Sequence, residues 1–292
     1  MLVFNKYIKQ IRVNQWVKNF TVFIPLFFAG KIFNFEQFYD TILAFLALCM
    51  MSSSVYIIND IMDIEKDKSH PYKKFRPLAS GSISKSNAII LFLFLIVTTL
   101  SLSISLKFSF FYLICGYLAI NLCYSFGLKK IAILDISIIA IGFILRIFAG
   151  GIIAEIHISK WLILMTFLLA LLLALAKRRD DLLILEKTGQ QMRKSLEGYN
   201  FEFINAAMIF MASVTTVAYL MYTVSEEVVH RINNDYVYVT TFPVIIGLLR
   251  YLQLTFVENN SGSPTKILLT DRVIQIVICI WFFIFYVLIY SL

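Results

Sequence analysis

Long hydrophobic stretches, separated by short clusters of polar and charged residues, run along almost the whole of this 292-residue chain. A helix needs about 20 apolar residues to cross the roughly 30 Å hydrocarbon core of a membrane. Nine candidate spans of about that length occur, near residues 18–33, 37–58, 86–106, 108–126, 132–153, 158–176, 202–224, 236–256 and 272–291. The alternating segments of about ten residues that are typical of membrane β-barrels are not seen. The pattern therefore predicts an all-α integral membrane protein, a bundle of about nine transmembrane helices.

Composition supports this class and indicates one domain. Hydrophobic residues make up 60% of the chain, against about 45–50% in soluble domains. The four cysteines show no C-x-x-C spacing, which argues against a disulfide framework or a zinc site. Only residues 258–265 form a connection rich in Gly, Ser and Pro. We therefore predict a single membrane-embedded domain, residues 1–292.

The basic residues predict the orientation of the helices. The net charge is +8, and twenty Lys and Arg residues lie on one side of the predicted spans, against four on the other. Cytoplasmic connections carry the excess of basic residues in membrane proteins, so we expect a cytoplasmic amino terminus in the cell membrane. Basic groups at membrane edges explain the net charge without a nucleic-acid partner. No small-residue cleavage site follows the first apolar run, which predicts an uncleaved first helix.

A charged stretch, NDIMDIEKDKSHPYKKFRPLASG, interrupts the apolar pattern at residues 59–81. If the second span continues as a helix, 100° per residue places Asp60, Asp63 and Asp67 on one face, with Asn59 beside them. Carboxylates this close need a cation between them, and oxygen ligands suit Mg²⁺, which commonly bridges carboxylates to phosphate oxygens. The stretch predicts a Mg²⁺ and diphosphate site; the alternative is an acidic helix end that pairs with nearby lysines.

The second half of this stretch is basic and contains two prolines, which favour an extended loop. We expect Lys73, Lys74 and Arg76 to neutralise phosphate, and the planar guanidinium of Arg76 to bind two oxygen atoms at once. Anionic lipid head groups are an alternative ligand for these side chains. His70, directly before a proline, is more typical of a hydrogen-bonding loop residue than of a metal ligand or base.

A second polar cluster lies where the fourth span ends and the fifth begins. Tyr124, Lys129 and Asp135 form its core, and Lys130 follows Lys129. Arg146, eleven residues after Asp135, projects from the same side of the fifth span. A charged group inside a membrane helix is a functional candidate by default. The alternative role for Arg146 is a structural one, with bonds to helix-end carbonyls.

Six further polar residues lie at predicted cytoplasmic helix ends, where they can bind substrate or simply signal topology: Gln15, Lys18, Asn19, Lys177, Arg178 and Arg179. No Ser-His-Asp arrangement, phosphate-binding P-loop or dinucleotide glycine fingerprint is present. The residues thus predict a membrane enzyme that binds Mg²⁺ and phosphate at its cytoplasmic face, beside an apolar cavity that lipid can reach.

These motifs resemble a known family. The string NDIMDIEKD matches N-D-x-x-D-x-x-x-D and, with RPLASG, resembles the UbiA superfamily of intramembrane prenyltransferases. That resemblance implies a nine-helix bundle with a cytoplasmic-side active-site cavity, and Mg²⁺ bound by Asn59, Asp60, Asp63 and Asp67. The strings QWVKN, HPYKKFRPLASG, YSFGLKKIAILD, GFILRIFAGG and AKRRDDL look like the decaprenyl-phosphate phosphoribosyltransferase branch. In that branch phosphoribosyl pyrophosphate is the donor and a polyprenyl phosphate is the acceptor.

The resemblance also implies roles for individual residues. The superfamily usually has a second D-x-x-x-D motif, but Ile139 stands four residues after Asp135, so a second complete metal site is not expected. Cations would instead hold the 5-phosphate of the donor, and Lys129, Arg146 and residues 177–179 are the candidates. The catalytic roles fall on Asp60, Asp63, Arg76 and Lys129.

Two other functions are compatible with the sequence. A prenyltransferase of the same fold would move an isoprenoid diphosphate onto an aromatic or glycerol-type acceptor. A transporter or lipid-binding protein would use the charges to gate an anion, but no internal repeat of the kind common in transporters is found.

Overall fold

The computed structural model describes residues 2–68, 73–189, 194–260 and 264–290. Within these ranges every regular element is a helix, which confirms the predicted all-α class. The α-helices are α1 Leu2–Ile11, α2 Ile24–Phe28, α3 Phe35–Met62, α4 Ile64–Lys68, α5 Lys85–Leu106, α6 Phe108–Phe126, α7 Leu134–Ala154, α8 Lys160–Thr188, α9 Phe201–Thr223, α10 Glu226–Ile232, α11 Thr241–Phe256, α12 Pro264–Thr270 and α13 Arg272–Tyr290. The 3-10 helices are Val13–Phe23, Lys73–Phe75, Leu128–Lys130, Lys194–Gly198 and Asp235–Thr240.

Eight helical segments are long and apolar enough to cross a membrane. They are α3, α5, α6, α7, α8, α9, α13 and the segment Asp235–Phe256, in which a 3-10 turn leads into α11. These segments correspond to eight of the nine predicted spans, and the chain is a multi-pass membrane protein. The largest difference in length is at α8, which continues to Thr188, so that residues 177–179 lie inside the helix and not after it.

The predicted first span, 18–33, does not form a long α-helix. A 3-10 helix covers Val13–Phe23, and only five residues of α-helix follow. Pro25 has no backbone N–H and cannot donate to the carbonyl of Thr21 in an α-helical bond. That carbonyl accepts the Ile24 N–H instead, which is the tighter 3-10 pattern.

The chain divides into two compact units. The first unit comprises Met1–Phe126 with Leu145–His157, and the second comprises Gly127–Ile144 with Ile158–Leu292. The division falls within α7. The core of the second unit contains buried residues of α8, α9 and α11, such as Leu172, Ile204 and Leu254. The prediction of a single domain stays a prediction.

The core of the first unit is built around α3. Ala44, Ala47 and Leu48 of this helix belong to one buried cluster with Phe110 and Ile114 of α6, and α7 adds two further residues. Small residues on α3 let neighbouring helices approach closely. Such close packing is common between membrane helices, because the hydrophobic effect does not drive helices together in lipid.

Lys107 closes the carboxyl end of α7 in the first unit. Its Nζ donates to the backbone carbonyls of Ile152 and Ile153, each at 3.2 Å, and pairs with Glu155 at 2.7 Å. An exposed pair of this kind contributes little, so the helix-end bonds dominate. We expect Lys107→Met, which keeps most of the aliphatic stem, to lower the unfolding free energy by about 1–2 kcal/mol, measured as a lower melting temperature in detergent.

Lys160 provides the control for this substitution. It is an exposed lysine at the amino end of α8, where a positive charge opposes the helix dipole. Lys160→Met should leave the melting temperature unchanged or raise it slightly. Equal losses of stability in both variants would contradict a capping role for Lys107.

Candidate functional site

Two of the three aspartates predicted to share a face lie together, Asp60 in the last turn of α3 and Asp67 in α4. Asp60 and Asp67 are both buried, and one nitrogen of Arg76, Nη1, donates to both: 3.1 Å to Oδ1 of Asp60 and 2.7 Å to Oδ2 of Asp67. Arg12 also donates to Oδ1 of Asp60. This cluster, Asp60, Asp67, Arg12 and Arg76, is called the carboxylate–arginine cluster below.

The chain continues its helical course beyond α3 and so keeps the aspartates on one side. Asp63 directly follows α3, and its N–H donates to the carbonyl of Asn59 at 3.0 Å. The N–H of Asp67 donates in turn to the carbonyl of Asp63 at 2.8 Å. Glu65 points away, is exposed and pairs with Lys68.

The carboxylates of this cluster are predicted ligands of Mg²⁺. No group of three or more His, Cys, Asp or Glu side chains in the described ranges is arranged to hold a metal ion. Mg²⁺ requires fewer protein ligands, because one or two carboxylates and substrate phosphates with water commonly complete its shell. Asp60 and Asp67 supply two converging carboxylates and therefore fit. Asp63 and Asn59 as further ligands stay predictions.

Sequence reasoning missed two members of this site. Gln10, which is fully buried, donates from Nε2 to Oδ2 of Asp60 at 3.2 Å, while its Oε1 accepts no hydrogen bond from any described residue. Arg12 is one of the twenty basic residues that predict the orientation of the helices. Its left-handed backbone, φ 53°, turns the chain between α1 and the 3-10 helix. Nothing in the local sequence indicates that either side chain meets Asp60.

The basic loop is anchored beside the cluster. Pro77, Leu78 and Ala79 are buried, and Leu78 packs in one cluster with Ile57 of α3. The hydroxyl of Ser82 donates to the carbonyl of Pro77 at 3.1 Å. These contacts explain how RPLASG places Arg76 against the aspartates. Of the other predicted loop residues, Lys74 is exposed, Lys73 is half-buried, and His70 lies outside the described residues.

Arg146 is the centre of a second polar cluster in the first unit. Its Nε donates to Oδ1 of Asn19 at 2.7 Å, and its Nη2 donates to the hydroxyl of Tyr117 at 2.8 Å. Asn19 in turn donates to Ser52 of α3 at 3.2 Å. Asn19 and Tyr117 are neutral, so they orient the buried guanidinium without cancelling its charge.

Lys18 adds to this positive charge. Its ammonium is within electrostatic range of both Arg146 and Arg12, and Nζ forms no hydrogen bond or ion pair with the part of the chain described here. Lys18 is thus close enough to Arg146 and to Arg12 for repulsion from each, and a bound anion would relieve this repulsion. Gln15, which is half-buried, lies in the same 3-10 helix as Lys18.

In the second unit, Asp135 and Arg178 form an ion pair that is completely buried. Arg178 Nε donates to Oδ2 of Asp135 at 2.6 Å, and Ser195 and Tyr199 donate to the same carboxylate at 3.0 and 2.7 Å. Arg178 also pairs with Asp181. Both Asp135 and Arg178, predicted to bind substrate, are therefore held by the protein itself, and a substrate contact for them stays a prediction.

The other predicted residues of this region are spread over helices and loops. Arg179 donates to the carbonyl of Thr255 at 2.7 Å, near the end of α11, and to Oδ1 of Asn205 in α9 at 3.0 Å. These contacts tie α8 to both helices. Lys177 is half-buried in α8, and Lys129 and Lys130 belong to the 3-10 helix Leu128–Lys130. Tyr124 lies in α6 of the first unit. Substrate contacts for these residues remain predictions.

Comparison with known proteins identifies the family of this chain. The profile of the UbiA prenyltransferase family matches residues 20–277. A decaprenyl-phosphate phosphoribosyltransferase of Mycolicibacterium smegmatis is 34% identical over 286 residues, 94% of this chain and 89% of that protein. One from Corynebacterium glutamicum is 32% identical over 280 residues, 94% of this chain and 84% of its own length.

A solved structure shares the fold. A UbiA homologue from Archaeoglobus fulgidus, bound to DMAPP and Mg²⁺, superposes with a TM-score of 0.73 at 19% identity, covering 98% of this chain and all of that one. The resemblance read from NDIMDIEKD and RPLASG is confirmed by the profile match over most of the chain. This protein belongs to the UbiA prenyltransferase family.

Proposed function

We propose that this protein transfers the 5-phosphoribosyl group from phosphoribosyl pyrophosphate to a polyprenyl phosphate and releases pyrophosphate. The observation that carries the proposal is the pairing of the carboxylate–arginine cluster with a separate set of cations, Lys18 and Arg146, in one unit. Relatives that cover most of the chain and bear the name decaprenyl-phosphate phosphoribosyltransferase support the same substrates.

The number of anionic groups favours these substrates over an isoprenoid diphosphate with a neutral acceptor. A prenyl diphosphate carries one anionic end, which the carboxylate–arginine cluster and a metal could bind alone. Phosphoribosyl pyrophosphate carries a second anion, its 5-phosphate, and the lipid acceptor carries a third. The cations around Arg146 suit one of these additional phosphates. Lys73, Lys74, Lys129, Lys130 and Lys177 stay candidates for the others.

Asp60 and Asp67 would hold Mg²⁺, with Asn59, Asp63 and the carbonyl of Gln10 as further oxygen donors. When bound, Mg²⁺ would neutralise charge on the pyrophosphate and so make it a better leaving group. Arg76 and Arg12 lie against the same carboxylates and can donate charge-assisted hydrogen bonds to pyrophosphate oxygens. The site therefore stabilises negative charge where it develops.

The reaction needs no strong base. The bond between C1 of the ribose and the pyrophosphate oxygen breaks, and the electron pair leaves with pyrophosphate. An oxygen of the lipid phosphate forms the new bond to C1. Because a phosphate monoester is already anionic at neutral pH, positioning and charge stabilisation can supply most of the acceleration. Lys129 keeps its predicted catalytic role.

We place this chemistry at the cytoplasmic side of the cell membrane. The carboxylate–arginine cluster lies at the end of α3 that leads into the basic loop, and basic connections are typical of the cytoplasmic side. A polyprenyl phosphate would enter from the lipid, with its phosphate at the membrane surface, whereas the donor would enter from water.

The test is a reaction of the purified protein with labelled phosphoribosyl pyrophosphate, Mg²⁺ and polyprenyl phosphates of several chain lengths. We expect release of pyrophosphate and transfer of label to lipid only when both substrates and Mg²⁺ are present. Turnover of a prenyl diphosphate with an aromatic or glycerol-type acceptor, without turnover of phosphoribosyl pyrophosphate, would overturn the proposal in favour of prenyl transfer. No turnover with either donor would favour a non-catalytic protein.

A further inference from the structure

The loop Gly127–Ile133 of the second unit carries Lys129 and Lys130 and is held from one side by Tyr199. The Ile133 N–H donates to the Tyr199 hydroxyl at 2.7 Å, and that hydroxyl donates to Oδ1 of Asp135 at 2.7 Å. The phenol thus connects the last residue of the loop to the fully buried carboxylate of α7. These two hydrogen bonds, from Ile133 to Tyr199 and from Tyr199 to Asp135, are called the relay. Of its three residues, only Asp135 was predicted from the sequence as a site residue.

The carboxylate gives the relay a fixed end. Asp135 accepts from Arg178 and Ser195 through Oδ2, which leaves Oδ1 to orient the Tyr199 hydroxyl. Burial, and then the hydrogen bond to Asp135, raise the pKa of Tyr199 above its usual value. The phenol therefore stays protonated and continues to donate to Asp135 at physiological pH.

Ile133 has a backbone that needs outside support. Its φ is 68°, in the left-handed region, where a β-branched side chain is strained. The side chain is 47% exposed, so its burial alone does not compensate for the backbone strain. A strained residue persists when its surroundings fix it, and the hydrogen bond to Tyr199 is one such contact.

A steric contact between Gly198 and Ala132, the residues directly before Tyr199 and Ile133, reinforces the hydrogen bond. A Cβ placed on Gly198 would lie 2.5 Å from Cβ of Ala132, and the next nearest atom, Cα of Ala132, is at 3.9 Å. The 3-10 helix Lys194–Gly198 therefore rests directly on the loop, at a distance that only glycine allows.

We propose that Tyr199 and Gly198 are positioning residues, which hold the Lys129–Lys130 loop in the conformation that binds a substrate phosphate. The inference rests on the proposed function for the phosphate, but the geometry of the loop can be tested without turnover. Neither residue touches substrate in this proposal: Tyr199 acts through the backbone N–H of Ile133, and Gly198 acts through the side chain of Ala132.

The first test is Tyr199→Phe, which removes the hydroxyl and keeps the ring. We expect amide hydrogen exchange in residues 127–133 to become about tenfold faster, and KM for phosphoribosyl pyrophosphate to rise about tenfold with kcat changed less than about threefold. The control is Tyr251→Phe, which removes a buried hydroxyl of the same unit that has no hydrogen-bond partner among described residues. Unchanged exchange in Tyr199→Phe, unchanged KM, or equal effects in Tyr251→Phe would each overturn the proposal.

The second test uses the steric contact. Gly198→Ala should displace the loop and raise KM, and adding Ala132→Gly should restore KM because it removes the atom that the new methyl group meets. Failure of the double variant to recover would contradict positioning by this contact. If the wild-type protein did not turn over phosphoribosyl pyrophosphate at all, the proposed function would fail, whereas the exchange measurements would still decide whether Tyr199 holds the loop.

Discussion

Asp60→Asn should reduce kcat/KM for phosphoribosyl pyrophosphate by about a thousandfold. The substitution keeps the size of the side chain but removes the charge that faces Arg12 and Arg76 and that would hold Mg²⁺. Turnover is measured by pyrophosphate release at saturating Mg²⁺, and folding by the melting temperature in detergent. Wild-type turnover in the variant would refute a metal-binding role for Asp60.

Glu65→Gln is the matched control, because it removes one carboxylate from the same segment. Glu65 is exposed and pairs only with Lys68 among described residues, and exposed pairs of this kind contribute little. Its turnover should remain within about twofold of wild type. If both variants lost activity equally, the effect would come from the net charge of the segment and not from the buried site.

Gly150→Ala should destabilise the first unit severely, by about 3 kcal/mol or more. A Cβ at this position would lie 2.0 Å from the carbonyl oxygen of Val22 and 2.9 Å from its carbon. These are backbone atoms, so no side-chain rotation relieves the clash, and the 3-10 helix Val13–Phe23 has to move away from α7. We expect a large loss of folded protein on size-exclusion chromatography and a lower melting temperature.

The control for this prediction is Gly116→Ala, in α6 of the same unit. A Cβ there meets no atom within 4 Å, and alanine is favoured over glycine in a helix by about 1 kcal/mol. The variant should be as stable as wild type or slightly more stable. A folded, fully stable Gly150→Ala protein would show that the contact with Val22 is not maintained.

Displacement of the 3-10 helix would also disturb the polar cluster around Arg146. Arg146 lies one helical turn before Gly150, and its partner Asn19 belongs to the same 3-10 helix as Val22. Any Gly150→Ala protein that remains folded should therefore bind phosphoribosyl pyrophosphate more weakly. The close approach at Gly150 thus links packing of the unit to the position of its buried arginine.

Several features could be predicted from the sequence because short-range geometry determines them. Runs of apolar residues located eight membrane helices to within a few residues, except at the end of α8. The 100° rotation per residue placed Asp60 and Asp67 on one face, and the structure joins them through Arg76. The helix caps seen in the structure are equally local contacts, since Asn34, Ser84 and Ser159 each accept a hydrogen bond from the backbone N–H three residues ahead.

Contacts between distant parts of the chain could not be predicted in this way. Gln10 and Arg12 meet Asp60 across about fifty residues of sequence, and Asp135 binds partners 43, 60 and 64 residues away. The 3-10 form of Val13–Phe23 differs from the predicted span, although the sequence contains Pro25, which cannot donate an α-helical hydrogen bond.

The sequence by itself determined the membrane class, the helix positions and the face that carries the acidic residues, because periodicity and apolar length act within a few turns of helix. Only the tertiary structure decided which cations neutralise those acids and which carboxylate is bound internally. The physical reason is that a buried charge takes its partner from whichever element packs beside it, and packing joins side chains that no local pattern connects.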